Sequence, residues 1–284
     1  MLNILLKTAN FKQYIGRFLA PDASIENVEQ LFAERVGEHI KETMTGFESI
    51  PIHSHYLCST IIDLPFSSKK FNWSTLKTVI AQHTSAIPAT FINAYECASW
   101  GYSLRHALRN QREKRYVLLT MVDLNILELE YWKANANWGK SGFGITTVLL
   151  ECDIKNSINS EQPYSSAMNI GVARGSNAIA EFTLAMRNEM TAKPTLKLAY
   201  PYFPENVTAL FHKLIPKANF LPDYHPEFGH CFGADPWISI IKDYQTNKAD
   251  QSYIAASVAL NGYWAIANIH LNQQTSVCLS KVVL

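Results

Sequence analysis

The sequence predicts an α/β fold built from two similar halves, and three observations predict it. Strand-like and helix-like segments alternate along the chain, the order that layers helices against a sheet. A helix-opening elbow, a strand, a small-residue hairpin and a last alternating strand occur in that order twice. The 284 residues are 48% hydrophobic, with twelve Gly and twelve Pro, enough for a substantial core in one large domain or two closely packed halves.

Residues 1 to about 50 carry helix-like periodicity. In "ENVEQLFAERVGEHIKETM" Val28, Leu31, Phe32 and Val36 share one face and charge occupies the other, as in a covering helix. The preceding "MLNILLKTANFKQYIGRFLA" has an apolar run of a few residues broken by Lys7, which fits neither a signal peptide nor a membrane span. "YLCSTIIDLPF" reads as a buried strand leaving into a loop, "STLKTVIAQHT" as a helix, and "ATFINAY" as a strand that delivers Cys97.

The internal echo appears when two elbows are set side by side. "NAYECASWGYSLRHALRNQREK" is followed by "RYVLLTMVD" and later by "WGKSGFGITTVLLE". "PEFGHCFGADPWISIIKDYQTNKA" is followed by "QSYIAASVAL" and "NGYWAIANIHL". The repeat puts Cys97 and His230 in equivalent places. Between the units "DIKNSINSEQPYSSAMN" is polar and turn-rich, which divides the chain into halves 1–152 and 153–284.

A cysteine attacks as its thiolate, and a helix N-terminus favours the anion, so Cys97 is expected to have a lowered pKa. A histidine can exchange a proton near neutral pH or donate its ring N–H to a developing oxyanion. Alone, Cys97 reads as an inert buried cysteine and His230 as a turn histidine. Their pairing at matching points of a repeat is what points to chemistry.

Lys and Arg number 25 against 24 Asp and Glu, with no long charged block, so no electrostatic case for nucleic acid arises. The five cysteines lie far apart without CxxC pairs, which argues against a zinc site or a disulfide framework and suits a reducing cytoplasm. His53 and His55 alternate along a strand but lack a third ligand nearby. "NANWGKSGFG" has a Gly-Lys-Ser without the glycine spacing or following helix of a phosphate loop.

Around these residues the chain resembles the thiolase superfamily, most of all its β-ketoacyl-acyl-carrier-protein synthase III branch. "INAYECASWGYSLRHAL" resembles the nucleophile segment, "WGKSGFGITTVLLE" the glycine-rich hairpin closing the first half, and "ALNGYWAIANIHL" the C-terminal hairpin. "FGHCFGADPWISIIKDY" stands where the family carries its second-half elbow. The resemblance implies a five-layered α/β/α/β/α thiolase-like fold, no cofactor, a homo- or heterodimer, and acyl thioesters of coenzyme A or acyl carrier protein as substrates. It implies that Cys97 is acylated, that the Cys97 and Gly262 N–H groups hold the oxyanion, and that His230 donates to an extender thioester carbonyl.

Two departures accompany the resemblance. In "LAYPYFPENVTALFHKLI" Tyr202 falls where the family has a further histidine, with His225, or less readily His212, as a substitute. The region before "YLCSTII" is too short for the usual opening strands. Ordinary elongation is thereby weakened, while acyl transfer to oxygen, nitrogen or sulfur remains open, in specialised biosynthesis. The alternative is a non-catalytic partner subunit of a heterodimeric synthase. Arg105, Arg109 and Arg112, with Lys213 and Lys217 as a second set, are candidates for docking coenzyme A phosphates or an acidic carrier; the plainer reading is a solvated helix end.

Overall fold

In "LNILLKTANFKQYI" the apolar residues Leu2, Ile4 and Leu6 alternate and are buried, and the segment forms a long strand, β1 (Leu2–Ile15). One long opening strand is therefore present in a region whose length suggested too little room for the usual opening strands. Its alternation is obscured beyond Leu6 by a register shift between Leu6 and Thr8 and by polar residues, Thr8, Asn10 and Gln13, that are themselves buried.

The computed structural model describes residues 2–18, 25–67, 71–109, 113–154, 167–173 and 177–284. After β1 come α1 (Ile25–Met44), β2 (Ser54–Cys58), α2 (Asp63–Ser67), α3 (Trp73–His83), β3 (Thr90–Ile92), α4 (Ser99–Ala107) and β4 (Arg115–Asp123). A short α5 (Glu130–Lys133) and the two-stranded β5 (Ala134–Asn135) and β6 (Gly139–Lys140) lead into β7 (Phe143–Ile154). Then follow β8 (Met168–Val172), α6 (Ala178–Ala192), β9 (Lys197–Ala199), α7 (Glu205–Leu214), β10 (Asn219–Phe220) and α8 (His225–Phe228). The chain continues with α9 (Asp235–Thr246), β11 (Gln251–Val258), β12 (Tyr263–Leu271) and β13 (Ser276–Val283). The polar boundary segment falls mostly outside the described residues.

The strands form two series with one plan. β1-β7-β4-β2-β3 and β8-β12-β11-β9-β10 each begin with two antiparallel pairings and end with two parallel ones. They meet where Leu5 of β1 pairs with His270 of β12, and β13 runs parallel along β1. Helices α4 and α9 lie between the series, each touching strands of both. Outside them, α1 packs with α3 over the first series and α6 with α7 beside the second. This is the expected five-layer arrangement.

The expected α1 face is borne out: Val28, Phe32 and Val36 are buried, with Leu31 packed against them. The central layer is held by Trp100 of α4 and Trp237 of α9, edge to face at 5.2 Å, with the Trp100 indole N–H donating to Ser257 Oγ. Among the described residues no helix is long and apolar enough to cross a membrane.

Candidate functional site

Each central helix is entered through a strained elbow. Glu96 (φ 45°) and Phe232 (φ 57°) are left-handed non-glycine residues, each opening a short 3-10 turn, Glu96–Ala98 before α4 and Phe232–Ala234 before α9. These matching pivots correct the sequence pairing: the counterpart of Cys97 is Gly233, and His230 stands three residues earlier. Gly233 allows the elbows to meet, since a Cβ there would lie 3.2 Å from the Cys97 carbonyl oxygen.

The backbone of His230 is fixed by the β6 hairpin. Its N–H donates to Lys140 O at 2.8 Å, and its carbonyl accepts from Gly142 N at 2.9 Å. Gly229 (φ 75°) makes this approach possible. The imidazole lies between Phe203, stacked at 5.4 Å, and Phe232 at 5.0 Å.

The fold brings Cys97 and His230 together. Cys97 Sγ lies 3.9 Å from His230 Nε2, and His230 Nδ1 lies 2.6 Å from Asp235 Oδ2. Asp235, the first residue of α9, is fully buried; it also accepts from Cys231 N at 2.6 Å and Tyr202 N at 2.8 Å. Burial raises its carboxyl above the usual range, and His230 opposes that rise. The sequence signal for Asp235 was the Asp-Pro opening of a helix, five positions after His230.

On the opposite side, Thr60 Oγ1 donates to Cys97 Sγ at 3.6 Å. Thr60 is itself held by Asp123, whose Oδ1 accepts Thr60 N–H at 2.6 Å and Ser59 Oγ–H at 3.0 Å. Burial pushes the Asp123 carboxyl up to about 6 although these bonds hold it down. Burial also pushes the Cys97 thiol well above its ordinary value; the Thr60 bond opposes this, while Asp123, Glu96 and Asp235 add to it. The lowered thiol expected from a helix N-terminus is thus corrected, because desolvation outweighs the dipole.

Cys97 and His230 open onto a cavity of about 320 Å³, walled mainly by aromatic and aliphatic groups, including Trp132, Trp138, Phe203 and Ile179. Thr60 and Glu96 line it as well.

The other expected site residues lie elsewhere. Gly262 (φ 90°) sits in the β11–β12 turn, where its N–H donates to Ala259 O at 3.0 Å. The Tyr202 side chain is buried away from the cavity, its hydroxyl 2.7 Å from Ser239 Oγ; only its backbone N–H reaches the site, through Asp235. His225 Nε2 is bonded to Trp138 O, and His225 does not line the cavity. His212, on α7, lies 3.4 Å from the Tyr200 hydroxyl and also stays outside.

Arg105 is in the last turn of α4, so eight residues and about 12 Å of helix rise separate it from Cys97. Arg109, Lys213 and Lys217 are exposed and outside the cavity, and Arg112 lies outside the described residues. His55 is buried, bonded to Ala86 O and Thr120 Oγ1, while His53 Nδ1 accepts from Tyr116 N. Among the described residues no cluster of metal-ligating side chains occurs.

No known protein family matches the sequence, and no curated protein matches it. Solved structures do match. ChlB3, described as an acyltransferase, superposes with a TM-score of 0.67 at 10% identity, covering 95% of this chain and 98% of that one. The 3-oxoacyl-(acyl carrier protein) synthase III of Pseudomonas aeruginosa superposes at 0.60 with 9% identity, over 95% and 98% of the two chains. The peroxisomal 3-ketoacyl-CoA thiolase of Saccharomyces cerevisiae superposes at 0.57 with 11% identity, over 94% and 97%. Repeated strand order, paired central helices and these superpositions agree: the chain has the thiolase fold, in the form found in 3-oxoacyl synthases III.

Proposed function

We propose that the protein is an acyltransferase that carries an acyl group on Cys97 and passes it to an oxygen or nitrogen nucleophile. The observation that carries this reading is the run Cys97 Sγ, His230 Nε2, His230 Nδ1, Asp235 Oδ2, with contacts of 3.9 and 2.6 Å. A thiol raised by burial needs a base at the moment of attack. His230 is placed to take the proton, and Asp235 to hold the ring and stabilise the imidazolium.

In the first half-reaction Cys97 Sγ attacks the thioester carbonyl carbon while its proton passes to His230 Nε2. The tetrahedral adduct collapses, the C–S bond to the donor breaks, and the departing thiolate takes the proton from His230. In the second half-reaction the acceptor's O–H or N–H proton goes to His230 as the heteroatom attacks the Cys97 thioester. Cys97 leaves and is reprotonated. Fold similarity supports a coenzyme A or acyl carrier protein thioester as donor.

Decarboxylative carbon–carbon condensation is less well supported. It needs a second donor on the extender carbonyl, and Tyr202, at that sequence position, turns its hydroxyl to Ser239. The apolar cavity suits an acyl group rather than a charged extender.

The test is intact-protein mass spectrometry after incubation with acyl-coenzyme A and acyl-carrier thioesters, beside C97A and H230A. The expected result is an acyl mass increase, absent in C97A and formed far more slowly in H230A. No adduct from any donor on folded protein would favour the non-catalytic partner subunit.

A further inference from the structure

The parallel pairing that seats His230 is one residue long, an isolated bridge to Ser141. A side chain continues it. His225 Nε2 lies 3.0 Å from Trp138 O, and because a carbonyl only accepts, this nitrogen carries the proton and donates. Positions 138, 140 and 142 of the hairpin therefore all bond to the segment 225–230, in alternation along one edge. Both partners are shaped for the added contact. Gly139 (φ 74°) lies against the ring, where a Cβ would stand 2.9 Å from His225 Cε1 and 3.2 Å from Nε2. The His225 backbone is fixed in turn, its N–H donating to Asp223 Oδ1 at 2.9 Å and its carbonyl accepting from Gly229 N at 2.8 Å. On the other side of the bond, the buried Trp138 walls the cavity, its indole N–H donating to Ser141 Oγ at 2.7 Å and its ring 6.0 Å from that of His230.

Resting on the acyl-transfer reading, we infer that His225 is a positioning residue: the bond it donates to Trp138 O holds the hairpin and the Trp138 wall in place, and through them the His230 ring against Cys97. The distance so governed has little slack. At 3.9 Å the contact from Cys97 Sγ to His230 Nε2 is near the outer limit of a hydrogen bond to sulfur, so a hairpin that shifts outward opens a gap that proton transfer must close again. His225 does not line the cavity, so its effect on the reaction passes through the hairpin.

The test removes the donor in H225L and H225A, the first keeping most of the bulk, and retains one in H225Q, whose amide N–H can reach the same carbonyl. T275V is the control: Thr275 Oγ1 donates to Leu6 O at 2.8 Å in the β12–β13 turn, so this variant loses a buried bond away from the hairpin. Two quantities are measured on each variant, with melting curves confirming folding. One is the single-turnover rate of Cys97 acylation by acetyl-, octanoyl- and benzoyl-coenzyme A. The other needs no acyl chemistry: it is the imidazole N–H proton resonance of the bond from His230 Nδ1 to Asp235, assigned by its loss in H230A.

The expected result is acylation about ten- to a hundredfold slower in H225L and H225A with the resonance shifted or broadened, recovery to within about threefold in H225Q with the resonance restored, and no change of either in T275V. Rates and resonances in H225L and H225A that match T275V overturn the inference. So does an H225Q as slow as H225L, because packing of the ring and not its donated bond would then be at work. Failure of the acyltransferase reading is distinguishable. In that case no thioester loads the intact protein, while the resonance still separates H225L from H225Q.

Discussion

His230 Nδ1 and Asp235 Oδ2 lie 2.6 Å apart and both residues are buried, 2% and 0% exposed. In that setting the carboxylate sets which ring nitrogen is turned to Cys97 and, on the proposed acyl transfer, would supply the charge that an imidazolium needs. Asp235→Asn is expected to lower the rate of Cys97 acylation by about two to four orders of magnitude while leaving the fold intact. Asp235→Ala also strands the buried N–H groups of Cys231 and Tyr202 and is expected to cost a further ~2–4 kcal/mol of stability. Single-turnover acylation with denaturant titration separates the effects; equal loss of stability in D235N would mean that Asp235 is chiefly a structural cap.

The Tyr202 hydroxyl faces Ser239 rather than the cavity. Tyr202→Phe is expected to cost about 1 kcal/mol, one buried hydrogen bond, and to leave acylation of Cys97 within about twofold. A kinetic loss of tenfold or more without matching destabilisation would restore a catalytic role to that hydroxyl.

At Gly229 a Cβ would lie 2.6 Å from the Ser141 carbonyl carbon, and φ is 75°. The Gly229→Ala variant is expected to lose ~2–4 kcal/mol of stability through strain and overpacking. Because the same contact seats His230, residual folded protein should acylate more slowly than its folded fraction explains.

Stability should fall in mild acid because two histidines are buried as neutral rings. Burial pushes His55 down from 6.5 to about 3, its bond to Ala86 O only partly opposing, and His39 behaves alike. The folded state therefore takes up fewer protons than the unfolded chain between those values. This stability is complete above pH 6.5 and is lost as pH falls. From pH 7.5 to 5 the His55 contribution is about 2 kcal/mol, one and a half units at 1.36 each. Asp123, raised from 3.8 to about 6, contributes in the opposite sense over its own interval. His55→Gln, which can keep both hydrogen bonds, should shrink the difference in urea midpoint between pH 7.5 and 5. An unchanged difference would show that His55 is not the group responsible.

The duplicated α/β plan was legible because α1 has clean helical periodicity and both elbows are followed by long apolar strands. Strand β1 was not, since buried Thr8, Asn10 and Gln13 break the alternation that marks a strand. Cys97 and His230 could be named from their residue types at turns opening helices. Asp235 was hidden because an aspartate before proline reads first as a helix start. Gly262 and Tyr202 show a different limit: composition shows which groups can donate, and only geometry shows which hydrogen bonds they already make within the fold.

The parallel register of Thr8 with Ser276 joins positions 268 residues apart. At roughly 5–20 residues per second, a ribosome needs on the order of tens of seconds to travel between them. Once β7 has been made β1 can pair with it, yet the flank that β13 will cover stays open to the end of that interval. Synthesis is therefore asymmetric in time: a strand made long before its partner is among the last to be sheltered.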